Sequence, residues 1–189
     1  MSTNHTAYIA LGSNLGERAA NLSAAVEKLR THGILVEALS EFMETDPVGA
    51  PPGTEYLRYL NAAACVRTAL PPRALLAVLL DVEAELGRRR VEGERNAPRT
   101  IDLDLLLYDD LIEGWTTPSV GAPVPTLRAG ASAPEQVDFS LPHPRMHLRT
   151  FVLKPLGKIA PQARHPIFKK TISELLAEAE LRGRLKINS

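Results

Sequence analysis

Residues 99–108, RTIDLDLLLY, decide how this chain is read. Successive side chains of a strand point to opposite faces, so residues two apart share one. Ile101, Leu103 and Leu105 then make an apolar face, and Asp102 and Asp104 project together from the other. Two carboxylates that close raise each other's pKa unless a cation lies between them. On the strand alone, two solvated aspartates and a cation site read equally well. If a cation is held, hard oxygen ligands favour Mg2+, which keeps several waters and bridges to substrate phosphates.

The residues just upstream shift that balance. Residues 88–99, RRRVEGERNAPR, hold Arg88, Arg89, Arg90, Arg95 and Arg99 against two glutamates. A guanidinium grips phosphate through a planar fork and stays charged at any working pH. The loop is bounded by Gly87, a helix stop, and by Pro98, and it runs directly into the aspartates. Arginines beside paired carboxylates suit a metal–polyphosphate, whose charge they neutralise during transfer. The whole-chain charge hides this. The 189 residues carry 22 Lys+Arg and 22 Asp+Glu, a net charge of zero, which excludes a polybasic nucleic-acid binder held by bulk charge. Yet residues 100–140 hold one arginine against seven acids, and residues 141–189 ten bases against three. With 44% hydrophobic residues, the length suits a single domain, 1–189, with a real core.

Outward from this strand, the chain alternates strands and helices. YIALGSN, 8–14, reads as a strand ending in a turn. Leu22, Ala25, Val26 and Leu29 recur at helical spacing until Gly33. Residues 34–43 alternate as a second strand, and TDPVGAPPGTEY, 45–56, is a Pro/Gly loop. YLNAAACV, 59–66, is a third strand. PPRALLAVLLDVEAELG, 71–87, is a helix with proline in its first turn and glycine past its end. The order β-α-β-β-α-β predicts an α/β (α+β) fold, a ferredoxin-like sheet with helices on one face. Residues 114–140 break the pattern with Pro118, Pro123, Pro125 and Pro134, and read as a long loop insertion without chemistry of its own. A short amphipathic helix, TISELLAEAE, 171–180, follows near the C-terminus.

Other chemistries lack their signatures. There is no GxxxxGK[ST] loop, and GSNLG, 12–16, has too few glycines at the wrong spacing for dinucleotide binding. No Ser/His/Asp nucleophile elbow occurs. Cys65 is the one cysteine; within AAACV it reads as a small core residue without the partners of a thiolate zinc site. A reducing cytoplasm is the expected compartment. No signal peptide opens the sequence, and ALLAVLL is too short to cross a bilayer. The rival reading is a ferredoxin-like RNA- or nucleotide-binding module. That module needs strand aromatics with adjacent basic residues, where this chain has Asp102 and Asp104.

AYIALGSNLG (7–16), YLNAAACV, ELGRRR (85–90), APRTIDLDLLLY (97–108) and LPHPRMHLRTFVLKPL (141–156), in that order, closely resemble 6-hydroxymethyl-7,8-dihydropterin pyrophosphokinase of folate biosynthesis. The resemblance implies transfer of pyrophosphate from ATP, the co-substrate, to the hydroxymethyl group of the pterin, with release of AMP. It implies two Mg2+ ions on Asp102 and Asp104, and a phosphate grip by Arg88 and Arg99 with Arg90 close by. It implies ATP contacts from His143 and Arg149 and an adenosine-side contact from Glu83. It implies a pterin ring sandwiched by Tyr59 and Phe151, hydrogen-bonded by Asn61, with backbone contacts around Thr45 and Val48. Such roles suit these residue types: a flat heteroaromatic ring stacks between aromatics, and an amide offers both donor and acceptor to its edge. The expected protein is a cytoplasmic monomer with small-molecule partners, and no nucleic acid or membrane among them.

Overall fold

A computed structural model describes residues 4–47, 57–88, 98–115 and 139–187. Val48, Arg90 and most of the 114–140 insertion lie outside the described residues. The elements are β1 (His5–Ser13), α1 (Arg18–Thr31), β2 (Leu35–Leu39), β3 (Met43–Thr45), β4 (Tyr59–Thr68), α2 (Pro72–Glu85), β5 (Asp102–Tyr108), a 3-10 turn (Met146–Leu148), α3 (Thr150–Ile159) and α4 (Ile172–Ile187). The sheet runs β2-β4-β1-β5, with β3 also on β4, and every pairing is antiparallel. This is the expected mixed α/β fold. One expected strand, 34–43, is instead two. Ser40 interrupts it, donating its N–H to Ala63 O at 2.9 Å and accepting the Ala63 N–H on its hydroxyl at 3.0 Å. The chain thus stays against β4 while the ladder breaks, and pairing resumes at Met43.

α1 buries Leu22, Ala25, Val26 and Leu29, and α2 buries Leu75, Leu79, Val82 and Glu83. Spacings of three and four residues put each set on one stripe. Both stripes close over a sheet face that includes Ile9, Leu11, Ala64, Val66, Leu103 and Leu105. Gly33 and Gly87 stop the helices at φ +77° and +79°, a left-handed region where a Cβ is strained.

The expectation of helices on one face needs correction, because α3 and α4 cover the other. Pro155 inside α3 and Gly157 after it argue against a helix in sequence. The helix forms because Val152, Leu153, Pro155 and Leu156 are buried together, packed with Ala63, Leu107, Ile172 and Leu175. Each fully buried Val or Leu contributes about 1.5–3 kcal/mol, which together exceeds the roughly 3 kcal/mol that a mid-helix proline costs. α4 begins on a reciprocal cap: Thr171 N–H donates to Glu174 Oε2 at 2.7 Å, and Glu174 N–H to Thr171 Oγ1 at 3.2 Å. It extends past the expected residue 180 to Ile187. Among the described residues no helix is long and apolar enough to cross a membrane.

Candidate active site

The site is laid out by register across three strands. Asn61 of β4, Gly12 of β1 and Asp102 of β5 lie side by side; two residues along, so do Ala63, Ala10 and Asp104. All six share the sheet face that α3 covers. The small residues of the middle strand leave room between the polar side chains. Phe151 and Val152, in the first turn of α3, close the cleft from above.

Asp102 is held by two arginines. Arg88 Nη1 bonds its Oδ1, and Arg99 Nη1 bonds its Oδ2 at 2.8 Å. Burial alone pushes the Asp102 carboxyl up, but Arg88 and Arg99 outweigh burial and hold it below the usual carboxylate range. Burial likewise opposes the charge on Arg88, and Asp102 and Glu83 more than offset it. Asp104 has a weaker partner, Arg149 Nη1 at 3.6 Å. Burial and the neighbouring Asp102 push the Asp104 carboxyl up to about 7. The aspartates remain open on the cleft side, with 28% and 36% of their side chains exposed. Negative charge at Asp104 is therefore only partly offset by Arg149, and a cation would relieve the rest. Among the described residues no group of three or more His, Cys, Asp or Glu is placed to hold a metal ion by itself. A carboxylate pair of this kind fits Mg2+, which takes one or two carboxylates and completes its shell with water and phosphate.

Around this floor the other candidates take distinct places. Asn61 is 6% exposed and donates from Nδ2 to Thr45 Oγ1 at 2.7 Å, so the hydroxyl of β3 fixes the amide's orientation. Tyr59 lies one alternation further along β4, opposite Thr45, and does not line the cleft. Arg149 caps α3, with its guanidinium carbon 5.6 Å from the centre of the Phe151 ring. His143 is placed by a strand irregularity. The β1–β5 register shifts between Tyr8 and Ile9, leaving Leu106 unopposed, and the Leu106 carbonyl accepts the His143 N–H at 2.8 Å. Burial, then Arg149, lowers the imidazole to about 3, so it is neutral. Its Nδ1 accepts the Arg145 N–H at 3.2 Å. Glu83 turns inward: its Oε1 accepts the Leu103 N–H at 2.7 Å and a bond from Arg88.

A cleft with paired strand carboxylates, converging arginines and an oriented amide matches one family in sequence. Residues 8–161 match the model of the 7,8-dihydro-6-hydroxymethylpterin-pyrophosphokinase (HPPK) family. The chain belongs to that family. It is 40% identical over 178 residues to the 2-amino-4-hydroxy-6-hydroxymethyldihydropteridine pyrophosphokinase of Methylorubrum extorquens, covering 94% of this chain and 95% of that one. The Bacillus subtilis enzyme of the same name is 38% identical over 160 residues, covering 84% and 80%. The chain is accordingly an HPPK, a pyrophosphokinase of folate biosynthesis. Its fold resembles that of Plasmodium falciparum HPPK-DHPS solved with pteroate, at a TM-score of 0.69 and 15% identity. That likeness covers all of this chain and 45% of the longer one, and at such identity it speaks to the fold alone.

Two residues in or beside the cleft were not singled out by sequence reading. Gly12 lines the cleft between Asn61 and Asp102; a glycine inside a strand, which marks a close approach, is the signal for it. Asn14 is 6% exposed and accepts the Arg99 N–H on Oδ1 at 2.7 Å, while its own N–H donates to Arg99 O at 3.2 Å. It fixes the backbone from which Arg99 reaches Asp102. In sequence it reads only as part of the GSNLG turn.

Proposed function

We propose that this chain transfers the β,γ-pyrophosphoryl group of ATP to the hydroxymethyl oxygen of 6-hydroxymethyl-7,8-dihydropterin, releasing AMP, and requires Mg2+. One observation carries the reading. Two carboxylates share one strand face at the floor of a cleft, with Arg88, Arg99 and Arg149 upon them and Asn61 and Phe151 beside them.

In this reading the pterin lies at the Asn61 end. Asn61 reads its edge, Phe151 stacks on the ring from inside the cleft, Tyr59 reaches its other side from one alternation further along β4, and the chain around Thr45 and Val48 adds backbone contacts. ATP lies at the arginine end, with His143 and Arg149 contacting it and Arg90 near the phosphates; Glu83, 2% exposed, lies behind Arg88 and touches the nucleotide only through that arginine. Asp102 and Asp104 would hold two Mg2+ ions, which when bound supply charge neutralisation and polarisation of the transferring group. The hydroxymethyl oxygen attacks the β-phosphorus in line. The new P–O bond forms as the bond from that phosphorus to the α,β-bridging oxygen breaks; AMP leaves with the electron pair, and the hydroxyl proton is released to solvent. Arg88 and Arg99 stabilise charge on the transferring group and on the departing AMP. The cleft keeps competing water from the phosphorus. A single domain, 1–189, acts as a cytoplasmic monomer on these small molecules. The test is the identity of the nucleotide product, resolved chromatographically from ATP, Mg2+ and the pterin. AMP supports the reading, and ADP means an ordinary kinase.

A further inference from the structure

Glu83 is 2% exposed, a rare position for a carboxylate unless it is paired. Its Oε1 serves two donors, the Leu103 N–H at 2.7 Å and Arg88 Nη1. The same Arg88 nitrogen also bonds Asp102 Oδ1. Leu103 is the residue between the two aspartates. Glu83 holds Arg88 by the main chain as well, because the Arg88 N–H donates to Glu83 O at 3.0 Å. α2 ends at Glu85, and Gly87 turns the backbone at φ +79°. Arg88 is thus the first residue past the turn, pinned at its backbone and at its guanidinium by one helical residue.

A tie between α2 and β5 does not by itself need a charge, since any acceptor satisfies the Leu103 N–H. The charge of Glu83 faces Arg88. Arg88 Nη1 carries two N–H groups, so it can keep Glu83 on one while the other exchanges Asp102 for a phosphate oxygen.

We propose that Glu83 is a positioning residue: it holds Arg88 at both ends, aiming the guanidinium over Asp102, where the polyphosphate is to be transferred. This rests on the transfer reaction proposed above. Glu83 then acts on catalysis through Arg88, and its effect on turnover vanishes when Arg88 is absent.

A double-mutant cycle tests this. Glu83→Gln leaves an amide oxygen for the Leu103 N–H and removes the charge that faces Arg88. Expected is a fall in kcat of roughly tenfold, with the pterin KM within about twofold of wild type. In the Arg88→Ala background the same change should alter kcat by less than about twofold, the mark of two residues acting as one unit. Equal fold losses in both backgrounds overturn the proposal, as does a loss confined to melting temperature or pterin KM. Should Glu83→Gln not fold, Glu83→Asp keeps the charge, shortens the arm and faces the same two outcomes. The cycle is also read without turnover, as affinity for a non-hydrolysable ATP analogue by calorimetry. If the wild type makes no AMP but the binding cycle is non-additive, the reaction falls and the positioning role stands. An additive binding cycle with normal AMP formation sinks the role alone.

Discussion

The two faces of one sheet are put to opposite uses. Toward α1 and α2, β1 and β5 present Ile9, Leu11, Leu103 and Leu105, none more than 5% exposed. Toward α3, the alternate positions of the same strands are Ala10, Gly12, Asp102 and Asp104, with Asn61 and Ala63 beside them on β4. The first face fills its space with branched side chains. The second is small along its middle and polar at its edges, so the covering helix leaves a cleft. The period-2 alternation of a strand lets three strands do both. Stability should then reside on one face and chemistry on the other, and substitutions should separate them.

The largest effect should come from the cleft face. Replacing Asp102 and Asp104 together with alanine removes the acidic floor, and AMP formation should fall on the order of 10³-fold or more. The fold should survive, as followed by circular dichroism. AMP production near the wild-type rate would make the two faces functionally alike. Arg99→Ala comes next. It should lower the single-turnover rate by about 10²–10³-fold, as when a charge-stabilising donor is lost, while the pterin dissociation constant measured by calorimetry moves less than about threefold. Loss of pterin affinity alone would remove Arg99 from the chemical step.

The sealed face should give the reverse pattern. Leu79 is fully buried between α2 and the sheet. Leu79→Ala should cost about 2–5 kcal/mol in denaturant unfolding, with kcat of the folded fraction unchanged. A large fall in kcat without loss of stability would contradict the division of labour.

Asp104→Asn sharpens the comparison by pH. In the protein without substrates, burial and Asp102 push the Asp104 carboxyl up to about 7. A carboxyl raised in the folded state favours folding fully below its unfolded pKa, and that contribution is lost as pH rises through about 7. Asparagine cannot ionise. The melting temperature of Asp104→Asn relative to wild type should therefore be higher at pH 8 than at pH 5. His143, lowered to about 3, is common to both proteins and cancels to first order. A difference independent of pH would mean that Asp104 is already ionised across the range.

Much of this division is legible in the sequence. β1, β4, α1 and α2 keep their periods unbroken, β5 does so as far as Leu105, and the paired aspartates and the arginine run declare themselves by residue type. α3 is not legible, because Pro155 and Gly157 outvote its apolar stripe until the sheet that buries it is known. The register shift opposite Leu106 is hidden because Leu105, Leu106 and Leu107 are alike, so nothing in the run marks where the face changes. α4 is read from its own sequence, but that α3 and α4 cover the second face is hidden for the same reason. The Asn14–Arg99 and Glu83–Arg88 links depend on where two turns place their backbones, which residue spacing does not encode. Tyr59 and Phe151 are chosen through the family resemblance, and of the two only Phe151 lines the cleft.

Gly12 gives the smallest and most local test. A Cβ there would sit 3.1 Å from Asn61 Oδ1 and 3.9 Å from Asp102 Cβ. The second distance is ordinary contact, but the first requires the amide to shift by a few tenths of an ångström. Asn61 is held from its other side by Thr45 Oγ1 at 2.7 Å, so a shift strains that bond or turns the amide away from the edge of the pterin proposed to bind there. Gly12→Ala should also stabilise the strand by roughly 0.5–1 kcal/mol through the conformational entropy that glycine loses on folding. The expected signature is a pterin dissociation constant raised by about three- to tenfold, the effect of one impaired hydrogen bond, with melting temperature unchanged or higher and kcat little altered. If pterin affinity holds and stability falls, the added methyl is straining the sheet rather than the amide, and the cleft floor belongs to packing instead of recognition.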